Sequence, residues 1–536
     1  MTSSKKSINP AKITFIHRDT EKEKPEDENS ISTVQPDEPV QKKVTPSSVE
    51  KPNDNQESTG EYERIIRKFI GDADVVRARN GKVYLKFKDL GNDYHVKVGS
   101  TQSNLFLRRQ SADQEQTLKD KDIKAINDNI TAHAEMDLVP VDIFLRVAPY
   151  KDGIEIDLGD AKQTRIRITP GNVESISSGS NTVFCRSAIT LPFDPPAKEG
   201  DVSLLKKYLK NLRAQLQVLL RGWISYTLAH PKVDTSKFVH LILVGSQGSG
   251  KSFLCRLLSK LIDPCTIGLQ VMPNRIEDLI VAAQNSHLLL FDNVRKLSQM
   301  KSDALCVAST GGAISSRKKY TDDDQHINDL HIPLVLNGIF DFITESDLAS
   351  RSLVLYLGDM DETKRLSEKE LERTLKEDIP IILQGMFQLI ADILKVLPEA
   401  KVLHPERMID FCQWLAAMEM VDGAPPGAYQ ELYSETLKEA QLNTLLENEL
   451  AAAVYRMADK LESDWNGTPA NLLHELNDTA SFQAMRSPDW PKSPESLGKR
   501  LRILKPALAS QGVYLRFSHS GDRGIAITTK RIEEMY

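Results

Sequence analysis

The feature that most constrains this chain is a glycine-rich loop between an apolar strand and an amphipathic helix. The run Val239-His-Leu-Ile-Leu-Val predicts a buried strand, and residues 253–262 have apolar side chains at helical spacing. The loop between them consists of Gly245, Ser246, Gln247, Gly248, Ser249, Gly250, Lys251 and Ser252. A GxxxxGK[ST] sequence that follows a strand and opens a helix predicts a phosphate-binding loop (P-loop) in a parallel α/β sheet.

Each residue type in this loop suits the binding of a nucleoside triphosphate. The glycines let backbone N–H groups turn towards phosphate oxygens, and the following helix directs the positive end of its dipole at the same anion. Lys251 is expected to reach the β- and γ-phosphates, and the hydroxyl of Ser252 is expected to bind Mg²⁺. ATP and Mg²⁺ are therefore the predicted cofactors. A chance glycine-rich turn is the alternative, and the flanking strand and helix disfavour it.

A second apolar strand, Ser286-His-Leu-Leu-Leu-Phe, ends at Asp292 and Asn293. An acidic residue at the end of such a strand, some way after the loop, suits a carboxylate that holds Mg²⁺ through water. Asn293 occupies the position where many P-loop ATPases have a glutamate that orients the attacking water. An amide can hydrogen-bond to water but cannot accept its proton, so the sequence predicts slow turnover or help from another group.

Two later segments add polar residues beside apolar strands. The run Ile332-Pro-Leu-Val-Leu-Asn-Gly-Ile places Asn337 at the end of a strand, where an amide could touch the γ-phosphate or the attacking water. The run Asp347-Leu-Ala-Ser-Arg-Ser-Leu-Val-Leu places Arg351 just before a further strand. Taken alone, the first could be a strand-end turn and the second a surface or helix-capping arginine.

A Gly-Gly turn and a basic cluster lie between the strand that ends at Asp292 and the strand that ends at Asn337. The cluster is formed by Arg317, Lys318 and Lys319, and three aspartates follow it closely. A solvated loop that neutralises its own charge is the simpler interpretation of such a run. The order of all these motifs along the chain is more informative than any one of them.

In that order, the motifs resemble the superfamily 3 helicases of viruses, phages and mobile elements, a branch of the AAA+ ATPases. The similarity is greatest to poxvirus- and phage-type primase–helicases and covers about residues 200–360. The resemblance implies that Asn337 is a sensor and that Arg351 is a finger completing the ATP site of a neighbouring subunit. It further implies that Arg317, Lys318 and Lys319 line the central channel of a hexamer and grip single-stranded DNA.

The last seventy residues predict helix, helix and then two strands around a glycine-rich tip, which is the pattern of a winged helix. Thr468 is a suitable N-cap for the first helix, and the second helix is expected to stop or kink near Pro506. A locally basic helix with a basic wing favours DNA over protein as the partner. The candidate DNA-binding residues here are Lys499, Arg500, Arg502, Lys505 and Arg523.

At 536 residues the chain is too long for one hydrophobic core. The pattern predicts a disordered tail over 1–60, an α+β module over 61–196 and an ATPase core over 197–360. A helical region over 361–464 and the winged helix over 465–536 complete the chain. The α+β module, with a helix expected over about 116–136, contains no recognisable primase site.

Composition limits the partners and the compartment. The 69 basic and 75 acidic residues give a net charge of −6, so any contact with DNA must come from local basic patches. The sequence contains neither an apolar run of the roughly 18–20 residues that span a bilayer nor an apolar signal-peptide core. Five scattered cysteines favour reduced thiols. A cytoplasmic protein without a membrane segment is expected.

Together these features predict an ATP-dependent DNA helicase or translocase that acts in the replication of a phage or mobile genetic element. It is expected to be a homo-oligomer, and the resemblance implies a hexamer. A separate primase would have to act with it. The alternative is an AAA+ nucleotide-dependent switch or scaffold, in phage defence, assembly or partition, in which ATP drives a conformational change without unwinding.

Overall fold

The protein is described by a computed structural model that divides into two compact units, Met1–Asp142 and Ile143–Tyr536. Each unit is described by itself. The predicted tail over 1–60 lies outside the described residues. The structure describes residues 73–87, 94–112, 117–177, 181–317, 325–339, 342–343, 345–359, 367–487, 490–518 and 524–529.

The first unit pairs a small antiparallel sheet with two helices. Its elements are β1 (Ala73–Arg77), β2 (Val83–Phe87), β3 (Val96–Lys97), α1 (Thr101–Ala112) and α2 (Asp120–Asp137). Helix α2 begins four residues later than expected, where the Asp122 carboxylate accepts a 2.9 Å hydrogen bond from the Lys119 N–H. Its buried residues Ile123, Ile126 and Ile130 recur at helical spacing and pack with the apolar residues of β2.

The second unit begins with a set of short strands. They are β4 (Ile143–Phe144), β5 (Val147–Tyr150), β6 (Gly153–Asp157), β7 (Arg165–Thr169), β8 (Asn172–Ile176) and β9 (Val183–Phe184). Strands β5 to β8 form an antiparallel meander. Arg146, just before β5, forms a buried ion pair of 2.6 Å with Asp263, which lies in the later part of this unit. The predicted module 61–196 therefore spans the division after Asp142, because its later strands pack with the second unit.

A five-stranded parallel sheet forms the centre of the second unit. Its strands have the order β11-β12-β15-β10-β16. In the sequence, a separate two-stranded hairpin, β13–β14, lies between β12 and β15. The interior strand β10, which lies between β15 and β16, is buried on both faces, as the uninterrupted apolar run predicts. The strands are β10 (His240–Gly245), β11 (Gln270–Val271), β12 (Leu289–Asp292), β13 (Ala313–Arg317), β14 (Gln325–Asp329), β15 (Leu334–Gly338) and β16 (Ser352–Leu357).

Helices accompany these strands in alternation. They are α3 (Ala214–Ala229), α4 (Lys251–Ile262), α5 (Ile276–Asn285), α6 (Gln299–Thr310) and α7 (Ser346–Ala349). The segment expected to be helical from residue 200 begins as a 3₁₀ turn over Val202–Tyr208 before α3 starts. In α3 the buried Trp223 donates a 2.7 Å hydrogen bond from Nε1 to the Val239 carbonyl, which fixes this helix against the start of β10.

Four helices follow the sheet, as the sequence predicts for residues 361–464: α8 (Glu368–Val396), α9 (Ile409–Asp422), α10 (Ala428–Leu446) and α11 (Glu449–Asp459). The segment 369–399 is long and apolar enough to cross a membrane, since it contains an 18-residue window with a mean hydropathy of 1.6. However, 56% of that apolar window is buried inside the protein, and Ile379, Ile382 and Phe387 are fully buried. These properties are typical of the core helix of a soluble protein.

The C-terminal region combines three helices with a three-stranded antiparallel sheet of order β17-β19-β18. Its elements are β17 (Trp465–Gly467), α12 (Pro469–Thr479), α13 (Phe482–Arg486), α14 (Pro494–Ser510), β18 (Tyr514–Phe517) and β19 (Ile525–Thr528). Thr468 caps α12, as predicted, by accepting a 3.2 Å hydrogen bond from Asn471 N–H. Of the stop or kink expected near Pro506, the stop does not occur at that residue, because α14 continues to Ser510 and its last turn buries Leu508 in the local core.

Candidate nucleotide-binding site

The loop over residues 245–252 connects β10 directly to α4, and each of its glycines has a structural reason. Gly248 and Gly250 have φ angles of +84° and +85°, in the left-handed region that glycine adopts without strain. A Cβ on Gly245 would lie 2.7 Å from Ser249 Oγ and 2.9 Å from the Leu357 carbonyl oxygen. The backbone can therefore curl tightly only with glycine at these positions.

The side chain of Lys251 lies inside the curl of this loop. Its Nζ donates hydrogen bonds of 2.8 Å to the Gly245 carbonyl and 2.7 Å to the Ser246 carbonyl, and lies 3.3 Å from Ser249 Oγ. Burial lowers the pKa of the Lys251 ammonium, and the negative charge of Asp292 opposes that effect. The result is a cation held within a concave loop at the N-terminus of α4, which is an arrangement suited to an anion.

Two oxygen ligands lie together beside the loop. The Ser252 hydroxyl donates a 3.3 Å hydrogen bond to Oδ2 of Asp292 at the end of β12. Among the described residues no group of three or more His, Cys, Asp and Glu side chains could hold a metal ion. A hydroxyl and one carboxylate nevertheless fit Mg²⁺, because this ion commonly keeps several waters and takes further oxygens from substrate phosphates.

Asn337 joins the ends of two strands to the helix after the loop. The side chain is buried, its Oδ1 accepts a 3.1 Å hydrogen bond from the Asn293 N–H, and its Nδ2 donates to Cys255 Sγ at 3.3 Å. Burial raises the pKa of the Cys255 thiol to about 12, so it stays protonated at neutral pH. These two hydrogen bonds therefore fix the orientation of the Asn337 amide between the end of β12 and helix α4.

Asn293 has a conformation that suits its residue type. Its φ angle is +54°, in the left-handed region where asparagine is tolerated better than most residues. The side chain is exposed, and the structure shows no hydrogen-bond partner for it within the described part of the chain. The backbone N–H of Asn293 is thus held by Asn337, while the side chain is accessible to solvent.

Two residues that the sequence motifs do not include also hold the loop. Asn211 donates from Nδ2 to the Ser249 carbonyl, and its own carbonyl accepts a 2.8 Å hydrogen bond from the Gly358 N–H. The Ser246 hydroxyl donates to Asp359 just after β16. A polar residue at a strand end is a recognisable signal for Asp359, whereas no local pattern distinguishes Asn211.

Arg351 lies at the opposite edge of the sheet. In the parallel register His240 pairs with Ser352 and Gly245 pairs with Leu357. Arg351 comes one residue before Ser352, so six residue steps of a strand separate it from the level of Gly245, a distance of about 20 Å. The structure therefore brings together Lys251, Ser252, Asp292, Asn293 and Asn337 but not Arg351.

The predicted basic cluster lies on the β13–β14 hairpin. Arg317 is the last residue of β13 and pairs with Gln325 in the antiparallel register. Lys318 and Lys319 fall in the connection between the strands and lie outside the described residues. In the sequence, the hairpin lies between β12 and β15, whose ends carry site residues.

In the C-terminal region, Lys499, Arg502 and Lys505 are exposed on α14, and Arg500 is half-buried. The Arg502 guanidinium lies 4.8 Å from the centre of the Phe517 ring, and Lys505 Nζ lies 6.0 Å from it. These contacts hold two cations of the helix against β18. Arg523 lies outside the described residues.

Comparison with known families identifies the kind of protein that this chain resembles. Residues 204–433 match the model of the actinomycete integrative conjugative element replication protein, and residues 450–534 match the model of the C-terminal domain of the same RepA protein. The first match contains the whole loop site, and the second contains the C-terminal helices and sheet. The chain is thus similar to a replication protein of a mobile element over both segments, which indicates a role related to DNA replication.

Similar solved structures include three of the C-terminal region of NrS-1. Each is 12% identical to this chain, and each alignment covers 87% of this chain and 98% of the other. The TM-scores are 0.40, 0.36 and 0.36. Such low scores do not support an argument about fold or function. No curated protein matches the sequence significantly.

Proposed function

We propose that this chain is an ATP-dependent DNA helicase or translocase of the superfamily 3 type that acts in the replication of a mobile genetic element. The observation that carries the proposal is the convergence of Lys251, Ser252, Asp292 and Asn337 at the carboxyl edge of one parallel sheet. In this assignment the core is a P-loop AAA+ ATPase. Lys251 binds the β- and γ-phosphates, and Ser252 and Asp292 hold Mg²⁺.

The assignment gives Asn337 a specific task. Its amide is buried and fixed on both sides, so it can present one orientation to a γ-phosphate or to an attacking water. Such fixed dipoles stabilise charge that develops during phosphoryl transfer without reorganising in the reaction. Mg²⁺, when bound, neutralises part of the same charge.

DNA is the proposed partner of two regions. The β13–β14 hairpin, with Arg317, Lys318 and Lys319, is proposed to grip single-stranded DNA. The C-terminal region has the element order strand, three helices and two strands, which supports a winged helix. Its exposed cations on α14 are proposed to contact duplex DNA. The match to a replication protein over both segments supports this assignment.

Oligomerisation follows from the position of Arg351. This residue lies about 20 Å from the loop of its own chain, so we propose that it reaches a nucleotide bound by another copy. An arginine supplied by a neighbour is worth roughly 10³–10⁵ in the rate of phosphoryl transfer. The proposed active form is therefore a homo-oligomer, a hexamer by resemblance, with priming done by a separate primase.

Asn293 favours a second candidate, a nucleotide-dependent switch or scaffold. An exposed amide at the end of β12 cannot take a proton from water, so ATP could drive a conformational change with little hydrolysis. In that case bound ATP would alter assembly, and DNA would remain a duplex.

The deciding experiment measures ATP turnover with and without single-stranded DNA and follows the opening of a forked duplex. A helicase should be stimulated by the single strand, and Lys318→Ala/Lys319→Ala should remove stimulation and unwinding. The matched control is Lys121→Ala/Lys124→Ala, which removes two exposed lysines of α2. Hydrolysis that ignores DNA, with a closed fork at saturating ATP, would refute the helicase proposal and favour the switch.

Action of Arg351 on a neighbouring subunit has its own test. Arg351→Ala and Lys251→Ala subunits are each expected to be inactive. When they are mixed, some interfaces contain an intact loop from one subunit and an intact arginine from the other. Activity should therefore reappear in the mixture, and its absence would count against action between subunits.

A further inference from the structure

A cluster of two arginines and one carboxylate lies at the amino edge of the central sheet. Arg351 forms an ion pair with Asp347 and donates a 3.0 Å hydrogen bond to the Asp347 carbonyl. Arg407, which comes just before α9, forms an ion pair with the other carboxylate oxygen of Asp347 and donates to Ser350 Oγ at 3.3 Å. One carboxylate thus joins two guanidinium groups that are 56 residues apart in sequence, by the difference of their numbers.

The two arginines differ in accessibility. The side chain of Arg351 is only 11% exposed, and its Nε has no hydrogen-bond partner among the described residues. The side chain of Arg407 is 45% exposed, and Asp347 is 53% exposed. Arg407 is therefore the more accessible cation of the cluster, although the sequence motif points to Arg351 alone.

The cluster keeps a net positive charge at neutral pH. Partial burial would raise the pKa of Asp347, but hydrogen bonds from Arg351 and Cys306 and the charges of both arginines lower it to about 2. The carboxylate is therefore ionised and neutralises one of the two guanidinium groups. An excess of one positive charge remains on a surface that Arg351 is already proposed to present to a neighbouring subunit.

We infer that Arg407 acts with Arg351 on the triphosphate bound by a neighbouring copy of this chain, and that Asp347 positions both arginines. This inference rests on the proposed function. The geometry that supports it is the carboxylate bridge, since the two oxygens of Asp347 bind one arginine each, as two oxygens of a phosphate could. Asp347 is a positioning residue, because it acts through the arginines and does not touch the nucleotide.

Steady-state kinetics of Arg407→Ala provide the first test. We expect kcat to fall at least about tenfold, less than the full value of an arginine finger, because Arg351 remains. The dissociation constant of a fluorescent ATP analogue for the unassembled subunit, measured at low protein concentration, should stay within about threefold, since the loop of the same subunit is intact. The matched control is Arg79→Ala, which removes an exposed arginine paired with Asp142 in the first unit and should leave kcat unchanged.

Subunit mixing and assembly separate this role from a structural one. Arg407→Ala mixed with Lys251→Ala should regain activity, because mixed interfaces contain an intact loop and an intact Arg407. A non-hydrolysable ATP analogue should strengthen subunit association in the wild type and about tenfold less in Arg407→Ala, measured by mass distribution against concentration. Without nucleotide, the two proteins should associate equally.

Conservative variants keep the inference testable if the alanine variant folds poorly. Arg407→Lys keeps the charge but loses the planar two-donor group, so an intermediate kcat with an unchanged melting temperature is expected. Asp347→Asn should lower kcat with both arginines intact and should also recover on mixing with Lys251→Ala. Failure of the Asp347→Asn mixture to recover would refute positioning by Asp347.

Two results would overturn the role of Arg407. One is an Arg407→Ala protein that assembles and hydrolyses ATP at the wild-type rate, which leaves the proposed function intact. The other is a loss of activity that mixing does not restore while the Arg351→Ala mixture does recover. Wild-type protein that binds the analogue and associates but never hydrolyses ATP would instead refute the proposed function and, with it, this inference.

Discussion

Asn293→Glu tests whether the amide at the end of β12 limits ATP turnover. The backbone N–H of this residue is held by Asn337, and its side chain is exposed with no described hydrogen-bond partner, so a longer side chain can be accommodated without displacing a neighbour. A carboxylate here could orient the attacking water and accept its proton. We expect the variant to hydrolyse ATP faster than the wild type.

The magnitude combines a gain and a cost. General-base catalysis contributes about 10²–10⁴ in rate, and a hundredfold gain corresponds to about 2.7 kcal/mol of barrier. The left-handed φ of +54° costs a residue with a long side chain about 1–2 kcal/mol, which asparagine largely avoids. That cost is the same in the ATP-bound state and in the transition state, so it should not slow the reaction. It should instead lower the melting temperature by about 2–4 °C per kcal/mol.

Asn293→Gln is the matched control for this experiment. Glutamine has the length of glutamate and suffers the same backbone cost but cannot accept a proton. Turnover should be measured for both variants with saturating single-stranded DNA, with stability and ATP-analogue binding followed in parallel. Equal turnover of the Glu and Gln variants, with both folded and binding the analogue, would refute the argument that a missing base limits the rate.

Three further measurements test other parts of the protein. Burial lowers the pKa of His230, His240 and His287 to about 4. Histidines of the unfolded chain bind protons near pH 6.5, whereas these three bind them only near pH 4 in the folded protein. The stability that the neutral histidines contribute is therefore complete above pH 6.5 and is lost as pH falls towards 4. The urea midpoint of unfolding should accordingly decline from pH 7 to 5. Leu501→Ala, at a fully buried position in α14, should destabilise the C-terminal region by about 2–5 kcal/mol and weaken duplex binding without affecting ATP-analogue binding. Gly338→Ala places a Cβ 2.5 Å from a backbone carbonyl oxygen, so we expect it to cost about 1–3 kcal/mol of stability by thermal melting.

Local patterns predicted the parts of the site that depend on chain order alone. The loop between β10 and α4 could be located because its glycines and the apolar runs on both sides are contiguous. Asp292 and Asn337 could be placed together because the carboxyl ends of parallel strands meet at one edge of a sheet. The hydrogen bond from the Asn293 N–H to the Asn337 side chain depends on β12 lying beside β15, and the sequence does not specify that strand order.

Other features have no local pattern. Helix α1 was not predicted because two of its three buried residues, Ser103 and Ser111, are polar, which leaves little apolar periodicity. Asn211 and Arg407 meet their partners only after long stretches of chain have folded between them. The two-residue strand β9 and the three-residue strand β17 are also too short to show an alternating pattern.

The proposed ATP site has two weak points, one at its own edge of the sheet and one at the opposite edge. Asn293 supplies no base, and Arg351 lies beyond reach at the opposite edge, beside Asp347 and Arg407. Under the proposed function, a subunit alone would bind ATP but would lack both a proton acceptor at β12 and a cation for the γ-phosphate. If a neighbouring copy supplies the cation, hydrolysis becomes a property of the assembled protein, and a slow subunit is an advantage because it conserves ATP until assembly has occurred.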